Sequence, residues 1–83
     1  MFLTFPNPSS EILTIEKINL TNIDLNQFNE KAIYELYNNH LEIVIKGTVA
    51  TLATIDVSSF KKGRYLLNIY GENKIETHHI IIK

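Results

Sequence analysis

"RYLLNIYG", Arg64 to Gly71, decides the fold of this chain. Tyr65, Leu67 and Ile69 fall on one side of a period-two alternation and Arg64, Asn68 and Tyr70 largely on the other, which is the pattern of an antiparallel strand with one buried face. Just ahead of it, "FKKG" places Gly63 at a turn-to-strand junction, where glycine supplies positive φ or close backbone approach. Tyr65 is then expected in the core, its hydroxyl satisfied by a backbone group as in the corners of sandwich domains. On the far side, "YGEN" provides the next reversal through Gly71 and Asn73.

Further out, the same β-branched and aromatic bias recurs in "EILTIEKI" (Glu11 to Ile18), "AIYELY" (Ala32 to Tyr37), "LEIVIKG" (Leu41 to Gly47), "TLATIDV" (Thr51 to Val57) and "KIETHHIIIK" (Lys74 to Lys83). "FLTF" before Pro6, or "NIDL" near Asn22, supplies a seventh strand. Short turn clusters separate the segments and no crossover helix is visible. The expected fold is therefore all-β, a small antiparallel immunoglobulin-like β-sandwich of about seven strands. Asn38 and Asn39 join strands 32–37 and 41–46 as a hairpin and are expected to take its positive φ. The Asn-rich stretch from Asn19 to Lys31 reads as an irregular connection or a short strand.

With 83 residues there is room for one domain, residues 1–83, and a chain so short buries only about 60% of its unfolded surface. It contains no cysteine, so disulfides, thiolate metal sites and a cysteine nucleophile are excluded and packing must supply the stability. A net charge of −1 with interspersed signs offers no basic face for a phosphate backbone or an anionic membrane, which argues against nucleic acid as a partner. No apolar run approaches membrane-spanning length, and direct membrane insertion is not expected. "MFLTFPNPSS" has no basic leader and reaches Pro6 too early for a secretory signal.

Four motifs in order, "FPNPSSEILTI", "IYELYNNHLEIV", "TIDVSSFKKGRYLLNI" and the closing "ETHHIIIK", resemble the C-terminal sorting domain, type A, of the type IX (Por) secretion system of Bacteroidetes. The positions that carry the resemblance are Pro6, Asn7 and Pro8; Ile55, Asp56, Val57 and Ser58; Gly63 and Tyr65; and Ile80, Ile81, Ile82 and Lys83. The resemblance implies a secretion signal joined to an upstream passenger protein. It also implies that the outer-membrane translocation and sorting machinery reads this signal, and that cleavage or cell-surface attachment follows. It implies a secreted or cell-surface destination after periplasmic transit, within a longer precursor. The chain departs from the family pattern at Asn38 and Asn39, where glycine is usual, and at His78 and His79, where lysines are common.

Chemistry elsewhere is sparse. His78 and His79 are adjacent in a strand, point to opposite faces and cannot jointly chelate a metal; they read as surface or strand-edge residues. His40 sits at a hairpin with no visible ligand partner. Asp56 with Ser58 and Ser59 is turn chemistry with no histidine at triad spacing, and Glu35 and Glu42 read as solvent-facing charges. Lys61, Lys62 and Arg64 form the one basic cluster, a solvated loop or a docking patch. No catalytic, metal or cofactor-binding residue is assigned and no enzyme is expected. The alternative to a sorting signal is an autonomous β-sandwich module that binds carbohydrate or protein. The absence of Trp and the scatter of Tyr and Phe weigh against a sugar platform.

Two expectations concern particular residues. Pro6 and Pro8 each fix φ and remove a donor, so segment 5–10 is a stiff lead-in that discourages edge pairing at its start. In strand 74–83, Ile75, Thr77, His79, Ile81 and Lys83 share one face, and Lys74, Glu76, His78, Ile80 and Ile82 the other. Both faces turn apolar at the end, so either a bulge shifts the register or some of Ile80, Ile81 and Ile82 remain exposed.

Overall fold

A computed structural model describes residues 1–18, 31–71 and 74–83. It contains strands β1 (Phe2–Phe5), β2 (Ile12–Lys17), β3 (Ala32–Tyr37), β4 (Ile43–Val49), β5 (Leu52–Asp56), β6 (Gly63–Tyr70) and β7 (Ile75–Ile82). They form a three-stranded sheet in the order β1-β2-β5 and a four-stranded sheet in the order β4-β3-β6-β7, with antiparallel neighbours throughout. This all-β, two-sheet arrangement is the sandwich expected from the alternation. "FLTF" is the first strand, while "NIDL" lies outside the described residues.

The core follows strand parity. Tyr65, Leu67 and Ile69 of β6 are buried with Tyr34 and Leu36 of β3, and Ile80 and Ile82 of β7 close the same layer. Leu13 and Ile15 of β2, with Ile55 and Val57, supply the opposing layer. Each such side chain withdrawn from water contributes about 1.5–3 kcal/mol, which is how a domain without disulfides holds together. Gly47 of β4 lies opposite Tyr34 of β3, and a Cβ there would sit 2.6 Å from the Tyr34 hydroxyl oxygen. The glycine makes room for a buried aromatic ring on the neighbouring strand.

The hairpin joining β3 to β4 differs from expectation. Asn38 and Asn39 do not take positive φ; among the described non-glycine residues only Leu41 does, at 62°. The loop closes as a turn in which the Leu41 amide donates to the Asn38 carbonyl at 3.0 Å and the Asn38 amide to the Glu42 carbonyl at 2.9 Å. Asn38 works instead through its side chain, whose Oδ1 accepts from the amides of His40 at 2.9 Å and Glu42 at 3.0 Å. A left-handed residue at the end of such a turn starts the returning strand, so β4 begins at Ile43 rather than Leu41 and runs past Gly47 to Val49. At the next hairpin the Gly71 amide donates to the Lys74 carbonyl at 2.8 Å, while Asn73 lies outside the described residues.

Candidate functional site

Strand β7 forms one edge of the four-stranded sheet, and its pairing with β6 is continuous from Tyr70 opposite Ile75 to Gly63 opposite Ile82. No bulge interrupts that register. Ile80 and Ile82 therefore enter the core at 1% and 2% exposure, while Ile81 turns outward at 43% and Lys83 is exposed. Of the two outcomes left open by the sequence, continued register with an exposed isoleucine is the one observed. Ile81 is the cross-strand partner of Arg64, so an apolar and a cationic side chain stand next to each other on the outer face.

The free edge of this tail is covered by the residues around Pro6 and Pro8, whose preceding peptide bonds are both cis. Asn7 Nδ2 donates to the His79 carbonyl at 2.8 Å and its Oδ1 accepts from the Ile81 amide at 3.0 Å, so one side chain acts as a surrogate backbone. Next along, the Ser9 amide donates to the Ile81 carbonyl and the Lys83 amide donates to the Ser9 carbonyl, both at 2.8 Å, forming a parallel bridge between Ser9 and Ile82. Ser9 is itself buried, with its hydroxyl donating to the Pro6 carbonyl. The lead-in segment, expected to discourage edge pairing, instead pairs, because the Asn7 side chain and the Ser9 backbone supply the donors and acceptors that the two prolines lack. It occupies the tail's edge and satisfies backbone groups that would otherwise face solvent.

Gly63 has a φ of +150° and Tyr65 is buried at the start of β6, as the turn-to-strand junction predicts. The Tyr65 hydroxyl donates to the Lys61 carbonyl at 2.6 Å and its ring stacks on Phe60 with centroids 6.2 Å apart. Asp56 caps the preceding turn: its Oδ1 accepts from the Ser58 hydroxyl at 2.6 Å and the Ser58 amide at 3.0 Å. Those two bonds hold the Asp56 carboxyl below its ordinary value, as expected of an ionised turn cap. Glu35 bonds to the Tyr37 hydroxyl at 2.8 Å on the outer face, and Glu42 to the Asn38 side-chain amide at 3.1 Å in the turn. The two carboxylates are occupied separately.

His78 and His79 point to opposite faces, but only His79 is exposed. His78 is half-buried against the first strand: its Nδ1 lies 3.4 Å from the Thr4 hydroxyl and its Nε2 lies 3.2 Å from Glu76. Glu76 also accepts from the Phe2 amide at 3.1 Å and lies 3.5 Å from the amino terminus. Burial raises the Glu76 pKa, yet these hydrogen bonds and charges outweigh it and leave the carboxyl below its ordinary value. Among the described residues, no group of three histidines and acids is placed to hold a metal ion, and no helix is long and apolar enough to cross a membrane.

The tail is clipped by the Pro-Asn-Pro segment and runs beside the Gly-x-Tyr corner, so the structure brings three of the four motifs together. The family model of the secretion system C-terminal sorting domain matches residues 3–83, spanning both the clip and the tail. The chain belongs to that family. Against curated proteins it gives no match. Membership identifies a C-terminal sorting signal of the type IX secretion system, in a family that is not enzymatic, and ties the sorting domain to that machinery and to an upstream passenger. Secretion or cell-surface localisation as part of a longer precursor follows from the same membership.

The sequence did not show the sorting domain's clip, the Glu76–His78 cluster or the pairing of Arg64 with Ile81. A local signal for the clip existed: Asn7 is flanked by two residues without backbone donors, and Asn is a side chain with both a donor and an acceptor in peptide-like geometry.

Proposed function

We propose that residues 1–83 form one sorting domain that carries a covalently linked upstream passenger across the outer membrane, and that the machinery reads the end of β7. Cleavage or surface attachment of the passenger follows translocation in this reading, and the domain contributes no catalysis of its own. The recognition candidates are Ile81 and Lys83 on the displayed face, with Ile80 and Ile82 holding the strand in the core. Pro6, Asn7 and Pro8 keep the strand edge clipped, and Asp56, Gly63 and Tyr65 shape the adjoining corner. The observation that carries this reading is the outward Ile81 in a strand whose neighbouring isoleucines are buried.

Deleting Ile80–Lys83 would remove two core side chains and confuse folding with recognition. The sharper test fuses residues 1–83 behind an export signal and a reporter in a type IX-competent host and compares Ile81→Asp and Lys83→Glu with the parent. Export should fall while the unfolding free energy of the purified domain stays within about 0.5 kcal/mol of the parent's, as for other exposed positions. Undiminished export in both variants rejects the tail as the part that is read.

A further inference from the structure

A second surface, which meets the tail at Arg64, lies between the β3–β4 hairpin and the loop that leads into β6. The two loops enclose an open cleft of about 460 Å³, within the usual size range of ligand sites. Lys61, Lys62 and Arg64 line one wall and His40 stands in the other. Glu42 is the one carboxylate among the described residues that line it. The three cations have no ion-pair partner among the described residues, so their charge is uncompensated in a chain whose net charge is −1.

Both walls are preorganised. The hairpin is stitched by the Asn38 side chain, and the basic loop is held by the Asp56 cap, by the bond from the Phe60 amide to the Val57 carbonyl at 3.1 Å, and by the Tyr65 hydroxyl on Lys61. Side chains mounted on such loops lose less entropy when a ligand arrives. Between the walls, Val44, Phe60 and Tyr65 contribute apolar surface. We propose that this cleft binds an acidic, extended peptide segment of a partner protein, with an apolar side chain against Val44 and Phe60 and carboxylates against the Lys61, Lys62 and Arg64 cations. A free inorganic anion leaves the apolar lining unused, and a flat lipid surface does not follow a concave wall, so charge complementarity and shape together favour the peptide.

The proposal stands on the cleft alone and is tested on the purified 83-residue chain by amide correlation spectra. The probes are a capped peptide of alternating Asp, Glu and Leu, the same peptide with Asn and Gln for the acids, inorganic phosphate, and phosphatidylcholine vesicles containing phosphatidylglycerol. The acidic peptide should give saturable shifts confined to residues 38–44 and 58–65, weakening with added salt as the screening length shrinks to ~10 Å near 0.1 M. Binding should weaken at least about tenfold in the Lys61→Gln/Arg64→Gln double variant, a loss of ~1.4 kcal/mol. It should tighten in Glu42→Gln, which keeps the acceptor for Asn38 but removes the opposing charge. That gain cannot come from damaged folding. Equal binding of the neutral peptide, no saturable shifts with the acidic one, equal phosphate binding at the same residues, or capture by vesicles in its place would each overturn the proposal.

Discussion

Replacing Gly63 by alanine isolates one term of the fold. The glycine holds φ at +150°, and a Cβ built there meets no atom within 4 Å, so no steric contact with the rest of the protein contributes to the cost. An L-residue in an extended conformation with positive φ carries a backbone penalty of order 1–3 kcal/mol. Alanine also lowers the entropy of the unfolded chain, which returns about 0.4–1 kcal/mol. With the two terms near the middle of their ranges, about 2 and 0.7 kcal/mol, Gly63→Ala should destabilise by ~1.3 kcal/mol, a fall in Tm of about 5–10 °C for a domain of this size. D-alanine at the same position, introduced by chemical ligation, has the mirror-image preference. It should be tolerated and raise stability by up to about 1 kcal/mol through the same unfolded-state effect. Urea and thermal unfolding followed by far-ultraviolet circular dichroism measure both. Equal effects of L- and D-alanine, or a cost below about 0.5 kcal/mol for L-alanine, would show that the backbone at this junction is not what demands glycine.

Two further outcomes follow from the clip and from the first strand. Asn7→Ala removes both side-chain bonds to the tail at an exposed position, so it should cost about 1–2 kcal/mol and speed hydrogen exchange at the Ile81 amide while core amides of β6 change only with global stability. Unchanged exchange at Ile81 would contradict the surrogate-backbone role of Asn7. For Glu76, whose folded pKa is depressed below the ordinary glutamate value, the stabilising contribution is fully present above the unfolded pKa and is lost as pH falls through the folded one. Stability should therefore decline with acidification below about 4.5, and Glu76→Gln should flatten that decline in a series of urea titrations; an identical slope in the variant would remove Glu76 from the account.

Strand parity was readable because burial imposes period two on every segment that meets the core: the partition of β6 into Tyr65, Leu67 and Ile69 against Arg64, Asn68 and Tyr70 follows from it, and so does the sharing of one face by Ile80 and Ile82, although the sequence leaves open which face of that apolar end turns inward and the register with β6 decides it. Gly63 and Tyr65 were readable for a local reason, since the backbone demand and the phenol's partner both lie within four residues. What escaped notice depends on distant pairing or on competition within a turn. Asn7 meets Ile81 across 74 residues, and nothing in either segment by itself selects the other. In the β3–β4 loop, preference for positive φ pointed to Asn38 and Asn39, but Asn38 gains more by accepting two amide hydrogen bonds, and the left-handed position passes to Leu41. His78 was read as a surface or edge residue because adjacency alone predicts opposite faces; its partial burial depends on β1 lying opposite. The basic cleft is assembled from loops that share no local pattern.

The clip also determines how the molecule would carry mechanical load. Asn7 and Ser9 run alongside His79 to Lys83 in the same chain direction, so a tension drawn toward the amino end through residue 7 and toward the carboxyl end through residue 83 slides the two segments past each other. Four hydrogen bonds resist that sliding together instead of opening one at a time. A domain tugged by cargo at its amino end and gripped at the other would take the load through β1 before it crosses to β7 at the clip, so those two strands are strained ahead of β3 and β6.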